Sequence, residues 1–138
     1  MFDDEHDGKL INVILADDDS STRFLLQSLL NKNGCKVLAA KGDGEALLDA
    51  YRHLKAIYTL PDMILLDISM PGALNGVDVL KKLREANPDL YVVMISGETD
   101  GNVVREVIAA GAAGFIVKPF TVGRIRELIA SFRKKAGL

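Results

Sequence analysis

Asp62-Met63-Ile64-Leu65-Leu66-Asp67-Ile68-Ser69-Met70-Pro71 is the stretch that decides how this chain folds. Four apolar residues run without a break into Asp67, and Pro71 follows closely, a residue that cannot continue a central strand. A run apolar on both faces suits a parallel strand covered by helices on both sides. Asp67 then stands at its carboxyl end, the place where open α/β sheets bind their ligands. It is the first candidate for chemistry.

On either side the chain alternates between the two hydrophobic periods. Ile11 to Ala16 reads as a first strand, Lys36 to Ala40 as a second, Met63 to Leu66 as the third, Tyr91 to Ile95 as a fourth and Phe115 to Val117 as a fifth. Between them lie helical patterns. Phe24, Leu25, Leu26, Leu29 and Leu30 are followed by the stop Asn33-Gly34, and Asp43 caps a helix with Leu47, Leu48, Tyr51, Leu54 and Tyr58 on its inner face. Asn75 caps a helix carrying Val79, Leu80 and Leu83 that ends at Asn87-Pro88, and Val103, Val104, Val107 and Ile108 mark a fourth, closed by Gly111. Thr121 caps the last, with Ile125, Leu128, Ile129 and Phe132 inward. The pattern predicts an α/β fold: a five-stranded parallel sheet, doubly wound, in one domain over residues 10–135, with an acidic N-terminal tail (1–9) and a short C-terminal tail (136–138).

Composition removes several functions. The 17 basic and 19 acidic side chains leave a formal charge of -2, without the basic surplus of a general nucleic-acid binder. One cysteine, Cys35, excludes an internal disulfide and reads as a small core residue. His6 and the lone His53 are too poorly accompanied for a zinc site. No window is long and apolar enough for a bilayer, and the acidic N-terminus is unlike a signal peptide, so a cytoplasmic location is expected. Lys81, Lys82 and Arg84, and Arg133, Lys134 and Lys135, read as solvated helix faces. Gly42-Asp43-Gly44 follows a strand as a dinucleotide loop would, but Leu47 stands where a third glycine or alanine is needed.

All five strand ends face one edge of such a sheet. Collected there are Asp17, Asp18 and Asp19 after the first strand, Asp67 after the third, Ser96 after the fourth and Lys118 after the fifth. Asp19 is best taken as a helix cap beside Ser20 and Ser21. Asp17, Asp18 and Asp67 would repel one another without a cation, and an oxygen-only donor set suits Mg2+. A carboxylate can act as a nucleophile toward phosphorus, and a lysine with a divalent cation neutralises the charge of phosphoryl transfer. Ser96 adds a hydroxyl able to donate to a phosphoryl oxygen.

The set Asp17-Asp18, Asp67, Ser96 and Lys118-Pro119-Phe120, at successive strand ends, resembles the receiver domain of two-component response regulators. The resemblance implies the strand order 2-1-3-4-5 and a phosphoacceptor at Asp67. It implies Mg2+ held directly by Asp18, through water by Asp17, by Asp67, and by the backbone carbonyl of Ser69. Lys118 matches the lysine that pairs with the phosphoryl group, Ser96 and Phe115 match the switch hydroxyl and aromatic, and Pro119 matches a cis proline that aims the lysine. Ser69 and Glu98 lie where family members tune the lifetime of the phosphoryl group. Two positions depart from the family pattern: the loop from Met70 to Gly76 is one residue longer than the commonest form, and Phe115 replaces the tyrosine of many members.

The function so implied is a single-domain switch. A histidine kinase or histidine phosphotransfer protein would phosphorylate Asp67, and a downstream protein would read a surface on the fourth helix, fifth strand and fifth helix, including Val103, Arg105, Phe115 and Arg126. No DNA-binding domain is seen, and phosphorylation-linked homodimerisation is open to such a chain. Two other classes compete. A phosphatase of the haloacid dehalogenase-like group would carry Asp-x-Asp, where this chain has Ser69 in the second position. A passive module of the same fold would have no use for the full set of acidic and basic positions. The chain is thus expected to catalyse its own phosphorylation and dephosphorylation, and not to be a multiple-turnover enzyme on external substrate.

Overall fold

In a computed structural model of the chain, residues 9–97 and 101–138 are described. The acidic tail before Lys9, with His6, and the expected tuning residue Glu98 lie outside them. The order is β1 (Ile11–Ala16), α1 (Ser20–Asn31), β2 (Cys35–Lys41), α2 (Gly44–Ala56), β3 (Met63–Asp67), α3 (Gly76–Ala86), β4 (Tyr91–Ser96), α4 (Gly101–Ala109), β5 (Gly114–Val117) and α5 (Val122–Ala136). All strand pairs are parallel and the sheet runs β2-β1-β3-β4-β5, which is the expected order. β3 takes in Asp67 itself, one residue beyond the expected end, because Asp67 still pairs with Ile95 of β4.

Two apolar layers sandwich the sheet. Ile14, Ile64, Leu66, Val92 and Met94 pack under α2, α3 and α4 with Leu47, Leu80, Leu83 and Val107, and Phe115 lies half-buried against this cluster. Val13, Leu15, Met63, Leu65 and Val93 pack on the other face under α1 and α5 with Leu26, Leu30, Ile125 and Phe132. Alternate residues of each strand go to opposite faces, as strand geometry requires. Cys35 belongs to the second layer, and burial pushes its thiol up to about 11, so it is an inert core residue.

The helix starts fall where capping chemistry placed them. Asp19, Asp43, Asn75 and Thr121 each accept a backbone N–H of the first turn, and Asn75 forms a reciprocal capping box with Asp78. This cap role, together with Gly44 lying where a Cβ would meet Val79 at 2.6 Å, accounts for the Gly42-Asp43-Gly44 sequence. Among the described residues no helix is long and apolar enough to cross a membrane.

Three expectations are corrected. Tyr58 does not join the inner face of α2: the helix ends at Ala56, and Tyr58 is 94% exposed with φ 58. It occupies the left-handed position after a helix end, where its neighbour Thr59 donates 2.8 Å to the Leu54 carbonyl and glycine is the usual residue. Tyr58→Gly is therefore expected to stabilise the fold by about 1 kcal/mol in urea unfolding, since the ring contributes little and the left-handed backbone costs an L residue about that much. A less stable variant would show that the ring has a favourable contact.

Arg84 is not on a solvated face. Its guanidinium donates to the carbonyls of Pro88 (2.9 Å), Leu90 (2.6 Å) and Gly111 (2.5 Å), tying the end of α3 to the start of β4 and to the turn after α4. The α5 basic run is likewise used in part. Arg133 donates to the Lys9 carbonyl, and the Lys135 ammonium lies 5.5 Å from the Tyr91 ring centre. Helix α5 also takes in Ala136, one residue beyond the expected domain end, with Gly137 left-handed behind it.

Candidate functional site

Register brings the acidic residues together. Ala16 of β1 pairs with Leu66 of β3, so the next residues, Asp17 and Asp67, stand side by side at the carboxyl edge of the sheet. Ser96 pairs with Val117, and the amide of the following Lys118 donates 2.8 Å to the Ser96 carbonyl. Four strand ends thus deliver Asp17, Asp67, Ser96 and Lys118 to one spot. The Lys118-Pro119 peptide bond is cis.

Within this spot one ammonium serves two carboxylates. Lys118 Nζ is 2.7 Å from Asp17 Oδ2 and 3.3 Å from Asp67 Oδ2. Asp17 is wholly buried, Asp67 is 4% exposed and Ser96 is 2% exposed. Asp18 stands at the exposed rim, and one oxygen from each of Asp17, Asp18 and Asp67 can be chosen so that all lie within 4.8 Å of one another. The remaining oxygens have fixed roles: Asp17 Oδ1 accepts the Asp19 amide at 2.9 Å, and Asp67 Oδ1 accepts the Ser69 amide at 3.3 Å.

Charge is out of balance here, three carboxylates against one ammonium. Burial first, and the Asp17 charge second, push the Asp67 carboxyl up to about 6 against the pull of Lys118. Burial draws the Lys118 ammonium down, but its hydrogen bond to Asp17 and the charges of Asp67 and Asp17 outweigh it, and its pKa is raised. A hard divalent cation would relieve the excess with the oxygen donors it prefers, so the residues present fit Mg2+. Beside Ser96, Gly97 is exposed, and nothing among the described residues lies within 4 Å of where a Cβ would be.

The residue sequence reasoning passed over is Arg23. Its Nη1 donates 2.7 Å to the main-chain carbonyl of Asp17 from inside α1. The available signal was spacing: an arginine in the second turn of a helix that starts beside an acidic pair can reach back over the turn between them. The longer loop also finds its path. Gly72 turns at φ 97, and the Gly76 amide returns to donate 2.9 Å to the Ile68 carbonyl, closing the loop directly behind Asp67. Of the residues expected on the reading surface, Arg126 points elsewhere, donating from Nε to Asn33 at the end of α1.

Comparison with known proteins agrees with this arrangement. Residues 13–130 match the response regulator receiver domain. The chemotaxis protein CheY of Thermotoga maritima is 32% identical over 122 residues, which cover 88% of this chain and 97% of that protein. The DNA-binding response regulator MtrA of Mycobacterium tuberculosis is 36% identical over 123 residues, but the match covers only 49% of its length. Among solved structures, the CheX-CheY-BeF3-Mg+2 complex from Borrelia burgdorferi superposes with a TM-score of 0.82 at 28% identity, covering 91% of this chain and 90% of that one. A doubly wound sheet in the order 2-1-3-4-5, an acidic pocket at its carboxyl edge and these likenesses together make the chain a CheY-like member of the response regulator receiver domain family.

Proposed function

We propose that this chain is a phosphorylation switch in which Asp67 accepts a phosphoryl group from a histidine kinase or histidine phosphotransfer protein. The observation that carries the reading is the shared ammonium: Lys118 lies between two buried carboxylates, Asp17 and Asp67, with the exposed Asp18 within reach of both. In the transfer an Asp67 oxygen forms a bond to phosphorus while the donor's P–N bond breaks, and the released imidazole nitrogen takes a proton from water. Dephosphorylation returns the carboxylate as water attacks phosphorus and inorganic phosphate leaves. The first step moves the donor's phosphoryl group onto Asp67 and the second releases it to water, so on this reading the chain acts on its own phosphoryl group and is not a multiple-turnover enzyme on external substrate.

Mg2+ would be held by Asp18, Asp17, Asp67 and the Ser69 carbonyl, and would neutralise the phosphoryl oxygens in the transition state. Lys118 supplies the second positive charge. Ser96, at the end of β4 with its carbonyl bonded to the Lys118 amide, would follow the new charge with its hydroxyl, and Phe115 on the neighbouring β5 would repack. A downstream protein would read α4, β5 and α5, where Ile108, Val117 and Val122 keep large apolar surfaces exposed. Phosphorylation-linked pairing of two copies is a further outcome open to that face.

Intact mass after incubation with Mg2+ and acetyl phosphate tests the reading. One phosphoryl adduct, mapped to Asp67 and absent when EDTA replaces Mg2+, is expected. No adduct from acetyl phosphate or from a phosphorylated kinase, on folded protein, would leave a binding module of receiver fold.

A further inference from the structure

We infer that Arg23 is a positioning residue that sets the affinity of the acidic site for its divalent cation; the inference rests on the Mg2+ reading given above. The peptide joining Asp17 to Asp18 is one rigid plane, so fixing its carbonyl fixes the direction in which Asp18 leaves. Arg23 Nη1 fixes that carbonyl at 2.7 Å. On the other side of the same residue, the Asp17 amide donates 3.0 Å to the Lys41 carbonyl at the end of β2. With Oδ1 held by the Asp19 amide at 2.9 Å and Oδ2 paired with Lys118 Nζ at 2.7 Å, the Asp17 side chain is fixed at both oxygens. Asp18 is exposed, so its aim depends on the backbone that Arg23 holds.

The surroundings are shaped for this guanidinium. Arg23 is half-buried, and Gly42 of the β2–α2 turn leaves room for it: a Cβ there would come within 3.3 Å of Nη1. The bond therefore links α1, the end of β1 and the turn after β2 at the point where the acidic pair begins. Groups that orient the ligands of a metal site typically change its affinity 10–100-fold when removed.

The test compares wild type, Arg23→Ala and Arg23→Lys by calorimetric titration with Mg2+ and by the free-ion EPR signal of Mn2+, with circular dichroism to establish folding. Arg23→Ala is expected to bind about 10-fold more weakly. Arg23→Lys, which keeps a donor of similar reach, should recover part of the loss, and phosphorylation of both by acetyl phosphate should approach the wild-type rate once Mg2+ saturates. Tighter binding by Arg23→Ala would show that Arg23 acts only as a repelling charge, and unchanged binding that it only supports the fold; either overturns the positioning role. A folded Arg23→Ala that loses rate at saturating Mg2+ with unchanged affinity would overturn it too. Wild type that binds neither ion would instead overturn the Mg2+ reading, and this role with it.

Discussion

Asp67→Asn is expected to take no phosphoryl group from any donor and yet to be more stable than wild type in metal-free buffer at pH 7. The loss of labelling follows from removing the proposed phosphoacceptor. The gain in stability follows from what the site costs. Asp67 ordinarily titrates near 3.8 as a free side chain, and burial with the Asp17 charge raises it to about 6 in the fold. Between those values the folded protein binds a proton that the unfolded chain has released, so stability falls as pH rises through that window. A displacement of about two pKa units corresponds to roughly 3 kcal/mol at most, and Asn avoids it. Chemical denaturation with EDTA from about pH 4 to 7 should show wild type losing stability along the series and Asp67→Asn losing less. Added Mg2+ should then stabilise wild type more than the variant. A variant less stable than wild type at pH 7 without metal would mean that the Lys118 ion pair outweighs burial at Asp67.

Gly76→Ala is expected to damage both the fold and the site. A Cβ at Gly76 would lie 2.3 Å from the Asp67 carbonyl oxygen and 2.8 Å from the Ile68 Cα. Both are backbone atoms, so no side chain can turn away to make room. Either α3 withdraws and loses the bond from the Gly76 amide to the Ile68 carbonyl, or the end of β3 moves and takes Asp67 with it. Overpacking of this kind costs about 3 kcal/mol. A displacement near 1 Å at a reacting group can slow the chemistry about 100-fold. Urea unfolding and the rate of acetyl phosphate labelling read the two effects separately. Gly97→Ala is the control, because its added methyl meets nothing within 4 Å, and its stability should stay within about 0.5 kcal/mol of wild type. Wild-type stability and labelling in Gly76→Ala would show that the loop behind Asp67 shifts freely.

Much of this was legible in the residues because period and punctuation agreed. Uninterrupted apolar runs announced strands buried on both faces, and Asp19, Asp43, Asn75 and Thr121 each sat one residue before a helical pattern. The acidic and basic candidates were visible because a parallel sheet sends all its strand ends to one edge. The misses share another cause. Tyr58 continued the helical spacing of Leu47, Tyr51 and Leu54, and spacing alone does not reveal that the helix has already ended at Ala56. Arg84 read as part of a solvated face and Arg23 was passed over, since a long side chain gives no sign in sequence of which carbonyl it will reach. The partners of both are main-chain oxygens, which every residue carries and no sequence pattern marks.

Arg84 also bears on how the surface at the other end of α4 can change. By holding the Gly111 carbonyl, it clamps the turn that closes α4 to the ends of α3 and the start of β4. Were α4 to pivot at this tethered carboxyl end, its arm would be about 13 Å, nine residues at the usual rise. Rotation by roughly 10° about that pivot would sweep the Gly101 end through about 2 Å while the Ala109 end scarcely moved. On the proposed reading, a push on this helix from the acidic edge would be felt most at its Gly101 end and least at the clamp.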